Sequence, residues 1–119
     1  MSFDVTTTIQ PEYLHVRISG EFSIPALFEL IERVNKEARA ADRSRVLVDS
    51  LAMSGLLSDA DRYLGGKRSA EVFGTSLKVA VLMPEQEITK MAELAATNRG
   101  TKLLVTPSEE EALEWLLKS

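Results

Sequence analysis

The stretch Arg45–Leu64, RVLVDSLAMSGLLSDADRYL, decides the fold. Val46, Leu47 and Val48 form a short apolar run, the mark of a buried strand, and Asp49 stands at its carboxyl end. The residues that follow read as a serine- and glycine-bearing loop carrying three large apolar side chains, Met53, Leu56 and Leu57, before a helix opens at Ser58. Ser58 and Asp61 have the spacing of a capping box, and Asp59 adds negative charge where the helix dipole is positive. In α/β sheets, ligands and partners meet the protein at the carboxyl ends of the strands. If the chain has a working surface, it is therefore expected at Asp49, Ser50, Met53, Ser54, Leu56, Leu57, Ser58 and Asp59. Met53, Leu56 and Leu57 read either as a seal over the core at the sheet's upper edge or as a docking patch or the lip of an apolar pocket.

Upstream, Phe3, Val5, Thr7 and Ile9 alternate with polar residues, and Leu14, Val16 and Ile18 alternate with Tyr13, His15 and Arg17. Two strands of this period, joined through Gln10, Pro11 and Glu12, predict an antiparallel hairpin with one polar face. The period then lengthens. Ile24, Leu27, Phe28, Ile31, Val34 and Ala38 fall at helical steps opposite Glu29, Glu32, Arg33, Lys36 and Glu37, with Pro25 suited to the first turn.

Downstream, the helix from Ser58 places Tyr63 and Leu64 inward and meets Gly65 and Gly66, which read as a tight packing contact, before stopping near Gly74. The unbroken run Lys78–Met83 predicts a strand covered on both faces, closed by Pro84. Glu85 and Glu87 then lead a helical stripe of Ile88, Met91, Ala92 and Ala95 that ends at Gly100. Leu103–Val105 is a last strand, expected with the other two apolar runs to lie in the sheet interior. Ser108 and Glu111 repeat the capping-box spacing for a final helix bearing Ala112, Leu113, Leu116 and Leu117, with Trp115 at its margin.

The order is thus ββαβαβαβα, an α/β class in which residues 1–119 form a single domain. A five-stranded mixed sheet with an N-terminal β-hairpin and about four helices accommodates it with right-handed crossovers. A hydrophobic share of 45% against 27% charged residues supports a packed core and gives no sign of disorder. The net charge of −4 and the scattered basic residues argue against nucleic acid as a partner. No apolar run approaches the ~20 residues that span a bilayer, the amino terminus lacks the blocks of a signal peptide, and there is no cysteine. A cytoplasmic location is expected.

Four segments carry a resemblance: YLHVRISGEF into the first helix, VLVDS at the third strand, KVAVLMP at the fourth, and the ending TPSEEEALEWL. Together they resemble the STAS superfamily, in its SpoIIAA-like branch, over nearly the whole chain. The resemblance implies a regulatory domain that docks a protein partner. Anti-anti-sigma members are phosphorylated on a serine of a DSSG motif at the start of the second helix. Laid without gaps from Asp49, this chain has Leu57, Ser58, Asp59 and Ala60 there. One serine remains, the first acid and the glycine are missing, and an acid replaces the second serine, so a non-enzymatic domain without a working DSSG phosphoswitch is expected. The branch also resembles lipid-binding CRAL-TRIO domains in architecture, which implies an alternative: a small carrier or sensor for an apolar ligand under the loop after the third strand.

Catalysis finds little support in the residues. The lone histidine, His15, is mid-strand and far in sequence from Ser54 and Ser58, and reads as a surface or hydrogen-bonded strand histidine. Asp59 with Asp61, and Glu109 to Glu111, stand at helix starts as dipole complements, and neither group reads as a metal site. Asp49 reads better as an acceptor that fixes the following loop than as a general base. No cofactor is expected. A protein partner is, and both an apolar small ligand and a homo-oligomer stay open.

Overall fold

The computed structural model describes residues 3–55 and 57–118. Its elements are β1 (Phe3–Ile9), β2 (Leu14–Glu21), α1 (Ile24–Ala40), β3 (Arg45–Ser54), α2 (Asp59–Phe73), β4 (Lys78–Leu82), a single 3-10 turn (Glu85–Glu87), α3 (Met91–Thr97), β5 (Lys102–Thr106) and α4 (Glu109–Leu117). The expected order holds. The five strands lie in the sheet in sequence order, with β1 antiparallel to β2 and every later pair parallel.

This arrangement dictates where the helices go. Each parallel crossover joins adjacent strands and moves the same way across the sheet, so right-handed connections put α1, α2 and α3 on one face. Residue pairing then sorts the side chains. Leu14, Val16, Val46, Val48, Val79 and Leu103 share a cluster with Leu30, Ile31, Val34 and Phe73 on that face. Leu47, Ala80 and Leu82 point the other way and are covered by Ala112 and Leu116 of α4. Beyond α4 that second face opens to solvent along the hairpin, where Thr6, Thr8 and Arg17 are exposed.

The expectation of three interior strands is corrected for the last. β5 pairs only with β4 and forms an edge. Its apolar run reflects cover above and below, by α3 and α4; a strand can be buried on both faces while one edge stays open, and composition reports only the faces.

Helix α1 begins with Ser23 as its cap, accepting from the Ala26 amide at 3.2 Å, with Pro25 in the first turn. Helix α2 runs unbroken through both glycines to a cap at Gly74. The inward assignment of Tyr63 and Leu64 is wrong, since each is 40% exposed. The buried stripe is instead Gly65, Gly66, Ser69 and Phe73. A Cβ at Gly66 would lie 2.2 Å from the Ala92 carbonyl oxygen and 2.8 Å from the Ala95 Cβ. The glycines are thus where α2 closes on its neighbours.

Two further expectations need correction. The long helix from Glu85 to Gly100 is a 3-10 turn, an extended Ile88, and a helix of only seven residues entered through Lys90 at φ 67°. In α4, Ser108 accepts from the Glu111 amide at 3.1 Å, but the Glu111 carboxylate accepts from the Thr106 hydroxyl instead of returning to the cap. Thr106 is buried, and a buried hydroxyl needs its partner more than an exposed amide does.

Candidate functional site

The sheet ends that carry the expected working surface are built by a longer β3 than the apolar run alone suggests. The strand continues past Val48 to Ser54, with a bulge between the Arg17–Asp49 and Ser19–Ala52 pairs. An extra residue in one strand re-aims the side chains beyond it. Asp49 holds this irregularity: its Oδ1 accepts from the Leu51 amide at 3.1 Å, the loop-fixing role read from the sequence, exercised here inside a strand. Ser50 is buried and donates to the Leu82 carbonyl of β4. Ser54 donates to the Gly20 carbonyl at 3.1 Å, and its own carbonyl accepts from the Phe22 amide at 2.9 Å.

Met53 is therefore not a loop residue. The register shift turns it into the α1–α2 side of the sheet, where it is 8% exposed and joins the main core while lining the groove above it. Leu56 lies outside the described residues. Leu57 is half-buried, and Ser58 and Asp59 are exposed. Ser58 caps α2 in a complete box: Ser58 Oγ accepts from the Asp61 amide at 3.0 Å, and Asp61 Oδ2 accepts from the Ser58 amide at 3.2 Å.

Helix α2 packs chiefly on α1 and α3 and reaches the sheet core through Phe73. Between these helices and the sheet lies an apolar cavity of about 130 Å³, walled by residues that include Leu27, Leu30, Val48, Phe73, Val79 and Leu103. Above it, at the strand ends, lies a groove of about 270 Å³ whose lining includes Met53, Ser54, Gly55, Pro84 and Gln86. Phe22, Ser50, Leu57, Arg62, Met83 and Glu87 line both spaces, so the groove is the mouth of the cavity. Across it Arg62 meets Glu87 at 3.5 Å, with side chains 12% and 25% exposed. Neither was among the residues expected to matter. They are 25 residues apart in sequence, and nothing in the local pattern of either marks a shared site.

The candidates divide accordingly. Ser50, Met53, Ser54 and Leu57 gather around the groove, Ser58 and Asp59 follow Leu57 at the exposed start of α2 without lining it, and Asp49 serves the bulge. His15 is not brought to them: it pairs with Leu47 on the face that α4 covers, opposite the cavity. Its Nε2 is buried with no hydrogen-bond partner among the described residues. Among those residues no group of three or more His, Cys, Asp or Glu side chains could hold a metal ion, and no helix is long and apolar enough to cross a membrane.

Solved structures share this architecture. An anti-sigma factor antagonist from Mycobacterium paratuberculosis superposes with a TM-score of 0.62 at 20% identity, over 98% of this chain and 96% of that one. An uncharacterized protein with a SpoIIAA-like fold from Shewanella loihica gives 0.58 at 17% identity, over 96% and 93%. The anti-sigma factor antagonist SpoIIAA in its unphosphorylated form gives 0.53 at 16%, over 96% and 95%. No protein-family model matches the chain, and no curated protein matches it. The fold is SpoIIAA-like, as the resemblance of the sequence to STAS domains implied.

Proposed function

We propose that this chain is a non-enzymatic regulatory domain that acts by binding a protein partner through the start of α2 and the rim of the groove. The observation that carries the reading is the exposure of Tyr63 and Leu64, 40% each, on the helix that Ser58 and Asp59 open. Apolar side chains grouped at the surface, unlike ones scattered singly, mark interaction surfaces in soluble proteins, and these two are consecutive in the chain. The SpoIIAA-like fold, shared with anti-sigma factor antagonists, supports the same reading. In this proposal the contact works without a DSSG phosphoswitch: Ser58 serves as a cap, and Asp59 supplies fixed charge at the helix start. The expected patch is shifted along α2, because Met53 belongs to the core.

Capture from extracts of the source cells tests this. A partner retained by the native chain should be lost with Leu64→Glu and kept with Leu94→Glu, a substitution at an exposed leucine of α3. Equal loss or equal retention by both variants would refute the surface.

A second reading is favoured by the cavity itself. An apolar space under the connection between β3 and α2 suits a small carrier or sensor of an apolar ligand.

A further inference from the structure

The cavity persists where Gly65 and Ser69 of α2 line it, since larger side chains there would fill the space. Of its three wall hydroxyls, Ser50 donates to the Leu82 carbonyl, Ser69 donates to the Gly65 carbonyl at 2.8 Å, and Thr89 accepts from the Met91 amide at 3.4 Å. Water needs two or more polar partners to settle in such a space, and engineered apolar cavities of about 150 Å³ stay dry and take up benzene or xenon. The volume here, about 130 Å³, is close to that size.

The mouth adds a charge. Arg62 stands at the end of the first turn of α2, its amide bonded to the Ser58 carbonyl of the capped terminus at 2.9 Å. Its one polar side-chain contact among the described residues is Glu87 Oε1 at 3.5 Å, well beyond the ~2.7–2.9 Å of a good charge-assisted bond. The two partners are unequal. Arg62 is the more enclosed and rises from a regular helix, while Glu87 belongs to a single 3-10 turn with no buried residue. The other cation at the cavity, Lys90, lies 3.4 Å from both Glu93 and the Val105 carbonyl, but its side chain is 53% exposed and so keeps its hydration, whereas Arg62 is enclosed.

We propose that the cavity takes a small apolar monocarboxylate, with its hydrocarbon between α2 and the sheet and its carboxylate on Arg62 in place of Glu87. This rests on the second reading above and adds the head group to it. The exchange makes and breaks no covalent bond: Glu87 moves out to water, and the guanidinium receives a carboxylate that can approach with both oxygens. A cationic ligand would have to dislodge Arg62, the better-held member of the pair. A neutral one would leave the pair standing across the mouth.

Toluene, phenylacetate and phenylacetamide, titrated while the Met83 and Ile88 methyl resonances are followed, separate the possibilities. The native chain should bind phenylacetate about tenfold or more tighter than the amide, the worth of one charge-assisted contact. Arg62→Met should erase that preference while still binding toluene, which shows that the variant is folded with its cavity intact. Glu87→Gln should tighten phenylacetate. Equal affinity for acid and amide, or a preference that survives Arg62→Met, would overturn the carboxylate assignment and leave the apolar cavity standing. Failure of all three probes, toluene included, would overturn both.

Discussion

Gly66→Ala is the sharpest test of how α2 is placed. In an ordinary helix interior this change is favourable by about 1 kcal/mol, because alanine loses less backbone entropy than glycine. Here the added methyl would sit 2.2 Å from the Ala92 carbonyl oxygen and 2.8 Å from the Ala95 Cβ, atoms of the facing helix that no rotamer change can move aside. Helix α2 must lift from α3, and overpacking of this kind costs about 1–3 kcal/mol or more. A contact so far inside van der Waals range belongs at the upper end or beyond, so the net expectation is a loss of about 2 kcal/mol, a Tm drop on the order of 8 °C for a chain of this size. Gly65→Ala is the internal control. Its methyl would meet only the Leu27 Cδ2 at 2.9 Å, the end of a flexible side chain, and the change should be nearly neutral. Urea midpoints measured for both variants decide the matter. A stabilised Gly66→Ala would refute the close approach of α2 and α3.

Other expectations follow from single contacts. Ser58→Ala should cost about 0.5–2 kcal/mol in denaturant unfolding, whereas Ser58→Asp, which also caps, should be nearly neutral; an unchanged midpoint for the alanine variant would remove the cap. Met53→Ala should lose the ~2–5 kcal/mol of a core truncation in thermal unfolding, and a loss below 1 kcal/mol would return Met53 to the surface. Lys78 Nζ donates to the Trp115 and Lys118 carbonyls at 2.6 and 2.9 Å and lies 4.7 Å from the Trp115 ring. Its pKa is pushed below the ordinary lysine value by desolvation and then by Arg45, Lys102 and Lys118. The folded chain therefore gives up this proton before the unfolded one does. Stability relative to Lys78→Met should rise with pH only between that lowered value and the ordinary value of ~10.4, and a flat difference across alkaline pH would contradict it.

The parts of the fold that were legible in the sequence are those in which large apolar side chains carry the period. The hairpin, α1 and the three apolar strands could be read that way, the Ser58 box came from the spacing of Ser58 and Asp61, and the element order followed from the alternation of strands and helices, whereas the place of β5 at the sheet edge did not. The buried face of α2 could not, because it is made of glycine and serine, and the eye goes to Tyr63 and Leu64 instead. The extent of β3 was hidden by its bulge: a strand that shifts register loses the period of two, so Met53 looked like a loop residue when it is core. The stripe from Ile88 to Ala95 was genuine in part, but Lys90 at positive φ divides it, a feature that lysine does not advertise. At the site, the capping roles of Ser58 and Asp61 were legible. Arg62 and Glu87 were not, since the pair exists only once the turn after β4 is folded against the start of α2.

The proposed contact surface can be tested most directly in living cells of the source organism by placing a photo-crosslinking benzoylphenylalanine at Tyr63, and in a separate variant at Thr8 on the solvent-facing side of the hairpin. Irradiation should yield a defined protein adduct from position 63 and none from position 8. Absence of an adduct at 63 in folded protein, or the same adducts from both positions, would contradict the assignment of the α2 start as the surface through which this domain meets its partner.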